Sequence, residues 1–419
     1  MKEKKESVMG LIELDQTLTD EQKAIRNEAR RFFMNVWRPA SIKLDKLADP
    51  RDVIAKNSIY WDVMRQTYQL GYHKMRMPKA VGGLELDAMT GVLVAEEEGY
   101  ASADFAISLG CHGFPYNFAL MSQKPELVEW VKAYCNDTEA KWTGCWAITE
   151  PDHGSDWILW QGENSSSPKV APQVVATAEG NHYIINGQKS SWVSNGSIAS
   201  HGALFVSFDR SMGMNACGIA IVPLDLPGIS RGKPLNKIGQ RALNQGEIFF
   251  DNVKVPKEYF FVTDPVMYRM IAEATLASAN AGMGTVFTGL AAAAFDEALA
   301  YAKQRVQGGR PIIEHQSVKA RIFEMFELVE ASRALSRRVL AYARAGLPPA
   351  LQYSIASKVF CTEAAFKVAS MAMQIFGGYG TSKEFVIEKL FRDARAAMIE
   401  DGVNETLGLA AADKIADLI

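Results

Sequence analysis

The chain has 419 residues, 48% hydrophobic and 22% charged, with a formal net charge of −3. That length exceeds one minimal core and points to two or three packed units. The slightly acidic balance excludes an electrostatic hold on a nucleic-acid backbone.

Met1-Lys-Glu-Lys-Lys-Glu mixes both charges and leads into no apolar stretch of secretory type. Five dispersed cysteines (Cys111, Cys135, Cys145, Cys217, Cys361) lack metal-type spacing and read as reduced thiols of a cytoplasmic protein. Thr19 or Asp20 offers the first helix cap, and helical periodicity recurs over 24–37, 60–70, 89–100 and 126–134. A loop is expected at 78–83. Glu96-Glu97-Glu98 reads as a solvated helix face.

From about Trp142 the character changes. Short β-branched or aromatic runs at 174–178, 183–185, 203–208, 218–222 and 247–250 are punctuated by Gly180-Asn181, Asn186-Gly187, Asn195-Gly196 and Pro227-Gly228. This pattern predicts a small antiparallel barrel or sandwich ending near Val255-Pro256. Asn164-Ser-Ser-Ser-Pro168 reads as an exposed loop. From about Tyr268 the chain is helical to its end, with alanine-rich 291–294 inside an amphipathic pattern; no run is expected to span a membrane. The expected fold class is α+β: an N-terminal helical domain (1–141), a middle β domain (142–262) and a C-terminal helical bundle (263–419).

Four stretches could carry chemistry. In Ile148-Thr149-Glu150-Pro151-Asp152-His153-Gly154-Ser155, the proline stops a helix and Gly154-Ser155 could turn its N–H groups toward an anion or a polar ring. The same residues could form a simple interdomain turn, with His153 on its surface. The stretch from Asn186 to Asn195 reads as a tight hairpin that exposes Trp192 to a planar ring, or else buries it. Arg305 before a Gly-Gly loop and Gln316 could clamp an anion, or end a helix against its dipole. Gln374-Ile-Phe-Gly377-Gly378-Tyr-Gly lets the backbone approach something large, and the helix after it breaks at Asp401-Gly402. A carboxylate on such a turn suits proton abstraction, and suits an ordinary capped helix end as well.

In order, these motifs, with Gly239-Gln240-Arg241, Asp251-Asn-Val-Lys-Val-Pro256 and Glu388-Lys-Leu-Phe-Arg392-Asp393-Ala-Arg395, resemble the flavin-dependent acyl-CoA dehydrogenases over essentially the whole chain. The resemblance implies FAD held between subunits of a homotetramer, or dimer of dimers. It also implies an acyl-CoA substrate and an electron-transfer flavoprotein as acceptor. Ile148, Thr149, Gly154, Trp192, Ser194 and Val403 would contact the cofactor on its flavin side, and Ser155 a phosphate of it or the substrate. Arg305, Gln316, Gln374, Gly377 and Gly378 would come from a neighbouring subunit to its pyrophosphate and adenosine. Ser155, Glu400 and Gly402 would face substrate.

Three departures accompany the resemblance. The family's usual base is a glutamate in a Tyr-Glu-Gly-Thr turn; register from Arg392-Asp393-Ala394 places Asp401 there, with Glu400 at the tyrosine. Aspartate is shorter by about 1.5 Å, so the substrate is expected to be compact or ring-bearing. Ala277, Ala279 and Asn280 carry neither the family's alternative base nor its Asp-x-x-Arg pair. Val403, Glu405 and Gly308 stand where the family has flavin-contacting threonine and glutamine and an aromatic. Two other readings of this fold are a nitroalkane-type oxidase, which would need an arginine absent after Asp401, and a non-catalytic or nucleic-acid-binding relative.

Overall fold

The computed structural model describes residues 13–159 and 165–417. Met1 to Glu6 and Asn164, read above, lie outside them. The first helix, Asp20–Phe32, begins with a capping box: the Thr19 hydroxyl accepts from Gln22 N–H while the Gln22 side chain accepts from Thr19 N–H. Side chains of Ser58 and Asp87 cap Ile59–Gln69 and Ala88–Ala101. Ala103–His112 and Phe114–Ser122 are helices that periodicity does not announce, because residues all round the first of them are buried. Pro125–Asn136 closes the N-terminal set.

Next comes one eight-stranded sheet. Val175–Glu179, His182–Lys189, His201–Ser207, Cys217–Pro223 and Ile248–Pro256 fall on the expected runs. Gly144–Ala147, Ile229–Arg231 and Phe260–Val262 add to them and are too short to show an alternation, so strand structure continues past Pro256. Pairing is antiparallel except where Gly144–Ala147 and Val175 join His201–Ser207 in parallel. Asn186-Gly187 is no hairpin turn. The strand runs through it, and register slips between Ile185 and Gly187, a bulge that glycine accommodates at a φ of 131°. One core joins the helices to one side of the sheet, and a second fills the other side around Ile185, Leu204 and Val222.

The 40-residue helix Pro265–Gln304, about 60 Å long, is the axis of the molecule. It packs against Ala88–Ala101, Gln316–Arg344 and Leu351–Phe376. It is therefore apolar nearly all round rather than amphipathic, with 291–294 buried. A Cβ on Gly99 would sit 1.9 Å from Val286 O, and one on Gly289 2.1 Å from Glu96 O. Bare backbone lets these helices touch. Leu351–Thr381 is, against expectation, long and apolar enough to cross a membrane, but it packs inside the bundle and buries Lys358.

Glu96, Glu97 and Glu98 are buried, not solvated. The helix they sit on is sandwiched, and arginines meet them there. Arg333 and Arg337 donate to the two Glu96 oxygens at 2.7 and 2.8 Å, and Arg30 pairs with Glu97. Burial pushes the Glu96 carboxyl up, but the two guanidinium groups prevail and hold it at about 2. Glu98 lacks so close a partner among the described residues, and burial raises it to about 7 against Arg344 and Arg76. All five cysteines are buried and unpaired.

Candidate active site

Helix Ile387–Ala397 ends in a turn and Asn404–Ala416 begins directly after it. Asp401 takes the left-handed conformation (φ 53°), which aspartate tolerates, and Gly402 follows at 100°. The φ of Gly402 is one that side chains rarely adopt, and a Cβ there would also press on the tip of Ile158 at 2.4 Å, so glycine suits the turn where it closes on the Ser155 segment. The Ser155 hydroxyl accepts Val403 N–H at 3.0 Å. Two helices hold the carbonyls of the turn. Asn280 Nδ2 donates to Asp401 O at 3.2 Å, and Lys358 Nζ donates to Gly402 O and Asn404 Oδ1, both at 2.7 Å.

The Asp401 carboxylate itself has no hydrogen-bond partner among the described residues, and it is only partly buried. Its surroundings raise its pKa by desolvation, against the pull of Lys358. Glu400, by contrast, is held: Gln240 Nε2 donates to its Oε1, while Gln240 itself is fixed by Asp393. Burial, with Asp401 repulsion added, raises Glu400 to about 7 despite Gln240, Lys237 and Lys358. The Cys111 thiol is pushed up by burial first, then by the charge of Asp401, with smaller contributions from Cys145 and Glu400. Cys111 therefore lies within electrostatic reach of Asp401 and Glu400.

The Ser155 end of the Thr149 loop meets the Asp401 turn. A buried Lys189–Glu150 pair at 2.7 Å underpins this loop, and Glu150 also accepts Val174 N–H at 3.1 Å. Lys189 Nζ holds Ile148 O at 3.1 Å, and Thr149 O accepts Ser190 N–H. The Thr149 hydroxyl is unengaged among the described residues. Two expectations for the loop need correction. Gly154 N–H is not free for an anion, because Asp156 Oδ1 accepts it at 2.6 Å. His153 is buried rather than on the surface, bonded to Asp156 at 2.8 Å and stacked on Trp157. Trp192 is 57% exposed, so a flat indole face is open; Gln245 Nε2 binds its carbonyl and the Ser194 hydroxyl.

The remaining residues gather elsewhere. Arg305, Arg321, Gln374, Gly377, Gly378 and Tyr379 line a groove of about 780 Å³ at the far end of the bundle. Nothing lies within 4 Å of where side chains on Gly377 and Gly378 would point, and the Arg305 guanidinium sits 5.8 Å from the Tyr379 ring centre. Gln316 is exposed between groove residues His315 and Ser317 but does not line the groove. From Lys358, beside Asp401, to Gln374 is roughly 24 Å along one helix. Within one chain, the groove and the carboxylate are two separate places.

Models of the acyl-CoA dehydrogenase N-terminal, middle and C-terminal domains match residues 19–123, 145–253 and 269–416. The chain belongs to the acyl-CoA dehydrogenase family. It is 28% identical to a short-chain specific acyl-CoA dehydrogenase of Clostridium acetobutylicum over 96% of this chain and all of that one. It is 30% identical to a 3-(aryl)acrylate reductase of Clostridium sporogenes over 95% and 99% of the two. Butyryl-CoA dehydrogenase of Megasphaera elsdenii superposes with a TM-score of 0.84 at 26% identity, covering 96% and 100%. The family consists of FAD-dependent oxidoreductases, and FAD is the cofactor of this chain. The residues fit that group: an open indole and a free hydroxyl suit a flavin ring, and guanidinium groups beside bare glycine suit a pyrophosphate.

Sequence reasoning alone does not single out Lys358, Gln240 or Cys111. Lys358 leaves a signal, a lone cation on a helix face otherwise made of Ile355, Thr362 and Val359. Gln240 is visible only as part of the Gly239-Gln240-Arg241 motif.

Proposed function

We propose that this chain catalyses α,β-dehydrogenation of an acyl-CoA thioester with Asp401 as the base. The observation that carries this is the Asp401 carboxylate, unpartnered among the described residues, on a turn clasped to the Ser155 segment. FAD supplies the hydride acceptor when bound. Asp401 Oδ takes the proton from the carbon next to the thioester carbonyl; desolvation makes it a better base than an exposed aspartate. The N–H groups of Asp401 and Gly402 have no acceptor among the described residues and can donate to the thioester oxygen as negative charge develops there. Asn280 and Lys358 fix the turn, so the shorter side chain is presented from a rigid support.

Thr149, Trp192 and Ser194 seat the flavin ring, while Arg305, Gln374 and the two glycines serve the cofactor of a neighbouring subunit in a tetramer. The distance between groove and base supports that division of labour. An electron-transfer flavoprotein is the proposed electron acceptor. The acyl group is compact or ring-bearing, because a short base requires its carbon held close, and a relative acting on aryl acrylates is consistent with a ring. Anaerobic mixing of the yellow protein with butyryl-, cyclohexanecarbonyl- and 3-phenylpropionyl-CoA tests this. Bleaching of flavin absorbance by at least one is expected, fastest with a ring compound. No bleaching by any acyl-CoA overturns the dehydrogenase reading.

A further inference from the structure

The spot next to Asp401 is more polar than a hydrocarbon acyl chain requires. Glu400 follows the helix Ile387–Ala397, its N–H on Ala396 O and its Oε1 on the Gln240 amide. Its second oxygen has no donor among the described residues, and that atom is not sealed off from solvent. Nearby, the Asn280 amide spends its Nδ2 on Leu276 O and Asp401 O, which fixes its orientation. Its Oδ1, fully buried, has no partner among the described residues. The Cys111 thiol, within electrostatic reach of both acids, is only a weak donor. Lys237 is committed to Leu243 O and Gln245 Oε1, both at 2.8 Å. Lys358 is committed to the turn.

Two acceptors, one on the Asp401 turn and one on the helix beside it, thus await a donor that the described residues do not provide. Water can serve Glu400 while the site is open. An acyl group closing over it displaces that water, and an unpaired buried acceptor then opposes binding.

From this geometry we infer that Glu400 selects acyl groups carrying a hydroxyl, alcoholic or phenolic, on the part of the chain beyond the reacting carbons. The inference rests on the dehydrogenase reading above and narrows its substrate class. A hydroxyl suits Glu400 better than other polar groups do. Burial places the titration of Glu400 at about 7, so its partner must meet both a carboxylate and a carboxylic acid. A hydroxyl donates to the first and accepts from the second; an ammonium only donates and a second carboxylate only accepts. A further anion would also meet Asp401.

The test compares matched pairs on the FAD-loaded protein: 3-(4-hydroxyphenyl)propionyl-CoA against 3-phenylpropionyl-CoA, and 4-hydroxycyclohexanecarbonyl-CoA against its parent. The rate of flavin reduction divided by the half-saturating concentration is read for each. In at least one pair the hydroxyl compound should lead by tenfold or more, as expected when an acceptor is otherwise left unpaired. Glu400→Leu should erase that ratio, and Glu400→Gln, which keeps an acceptor oxygen, should keep part of it; retained FAD absorbance verifies folding of both. Equal rates within both pairs, or a lead that survives Glu400→Leu, overturns the inference while leaving the dehydrogenase reading in place. Failure of every acyl-CoA to bleach the flavin overturns both.

Discussion

Two adjacent carboxylates, Glu400 and Asp401, stand on one turn, and their hydrogen bonds separate them. Glu400 is tied to Gln240, whereas Asp401 is held only by its backbone and leaves its side chain open. A base must be free to receive a proton, so Asp401 is the better placed. Removing a positioned base costs roughly 10²–10⁴-fold in the chemical step. Asp401→Asn should therefore retain FAD and bind acyl-CoA nearly normally while flavin reduction falls by at least that much. Stopped-flow absorbance reads this directly; an Asn variant that reduces within about tenfold of the parent moves the role to another group. The choice between these neighbours was open to sequence register alone. The anchors were not. Lys358 and Asn280 lie 43 and 121 positions from Asp401 in the chain, and no local pattern links them to the turn.

Elements that share one role by resemblance turn out to divide into two places. The Ser155 end of the Thr149 loop meets the Asp401 turn, while Arg305 and the Gly377-Gly378 segment form the groove at the other end of helix Leu351–Phe376. Arg305→Ala should then weaken FAD retention, by about tenfold or more for a lost charge-assisted contact, and leave the reduction rate of fully loaded protein close to the parent. Flavin content after gel filtration, followed by reconstitution and stopped flow, separates the two effects; undiminished FAD occupancy removes Arg305 from the cofactor site. At this scale the sequence was legible where composition and turn residues mark an element. The sheet strands show as β-branched or aromatic runs between turns, even where they are buried throughout, and the cap of Asp20–Phe32 is local. Where an element is sandwiched the period disappears, which is why Ala103–His112 is silent and why Glu96 to Glu98 look solvated. Their partners, Arg30, Arg333 and Arg337, are remote in sequence, and only packing brings them in.

Across the whole molecule, buried ionisable groups of two kinds oppose one another, and their balance sets the response to acid. His73 and His112 are held at about 3 and His201 at about 4 by burial. Below about pH 6.5 the unfolded chain binds protons that these histidines refuse in the fold, so they lower stability as pH falls. Glu98 and Glu400, at about 7, and Asp393, at about 6, do the reverse. Between those values and roughly pH 4.5 the fold holds protons that the unfolded chain has released, so these acids raise stability as pH falls. The two contributions offset each other from neutral pH down to about 5. Below roughly 4.5 the raised acids are protonated in both states and drop out. Glu96 and Asp104, held at about 2 by Arg333, Arg337 and Lys389 against their burial, then join the histidines in losing stability. The FAD-loaded protein should keep a nearly level melting temperature from pH 7 to about 5 and lose it steeply below about 4.5. Thermal melts followed by circular dichroism across that range test the balance. A steady decline beginning at pH 6.5 would mean that the histidines act without the opposing acids, and that Glu98, Glu400 and Asp393 are ionised in the fold at neutral pH.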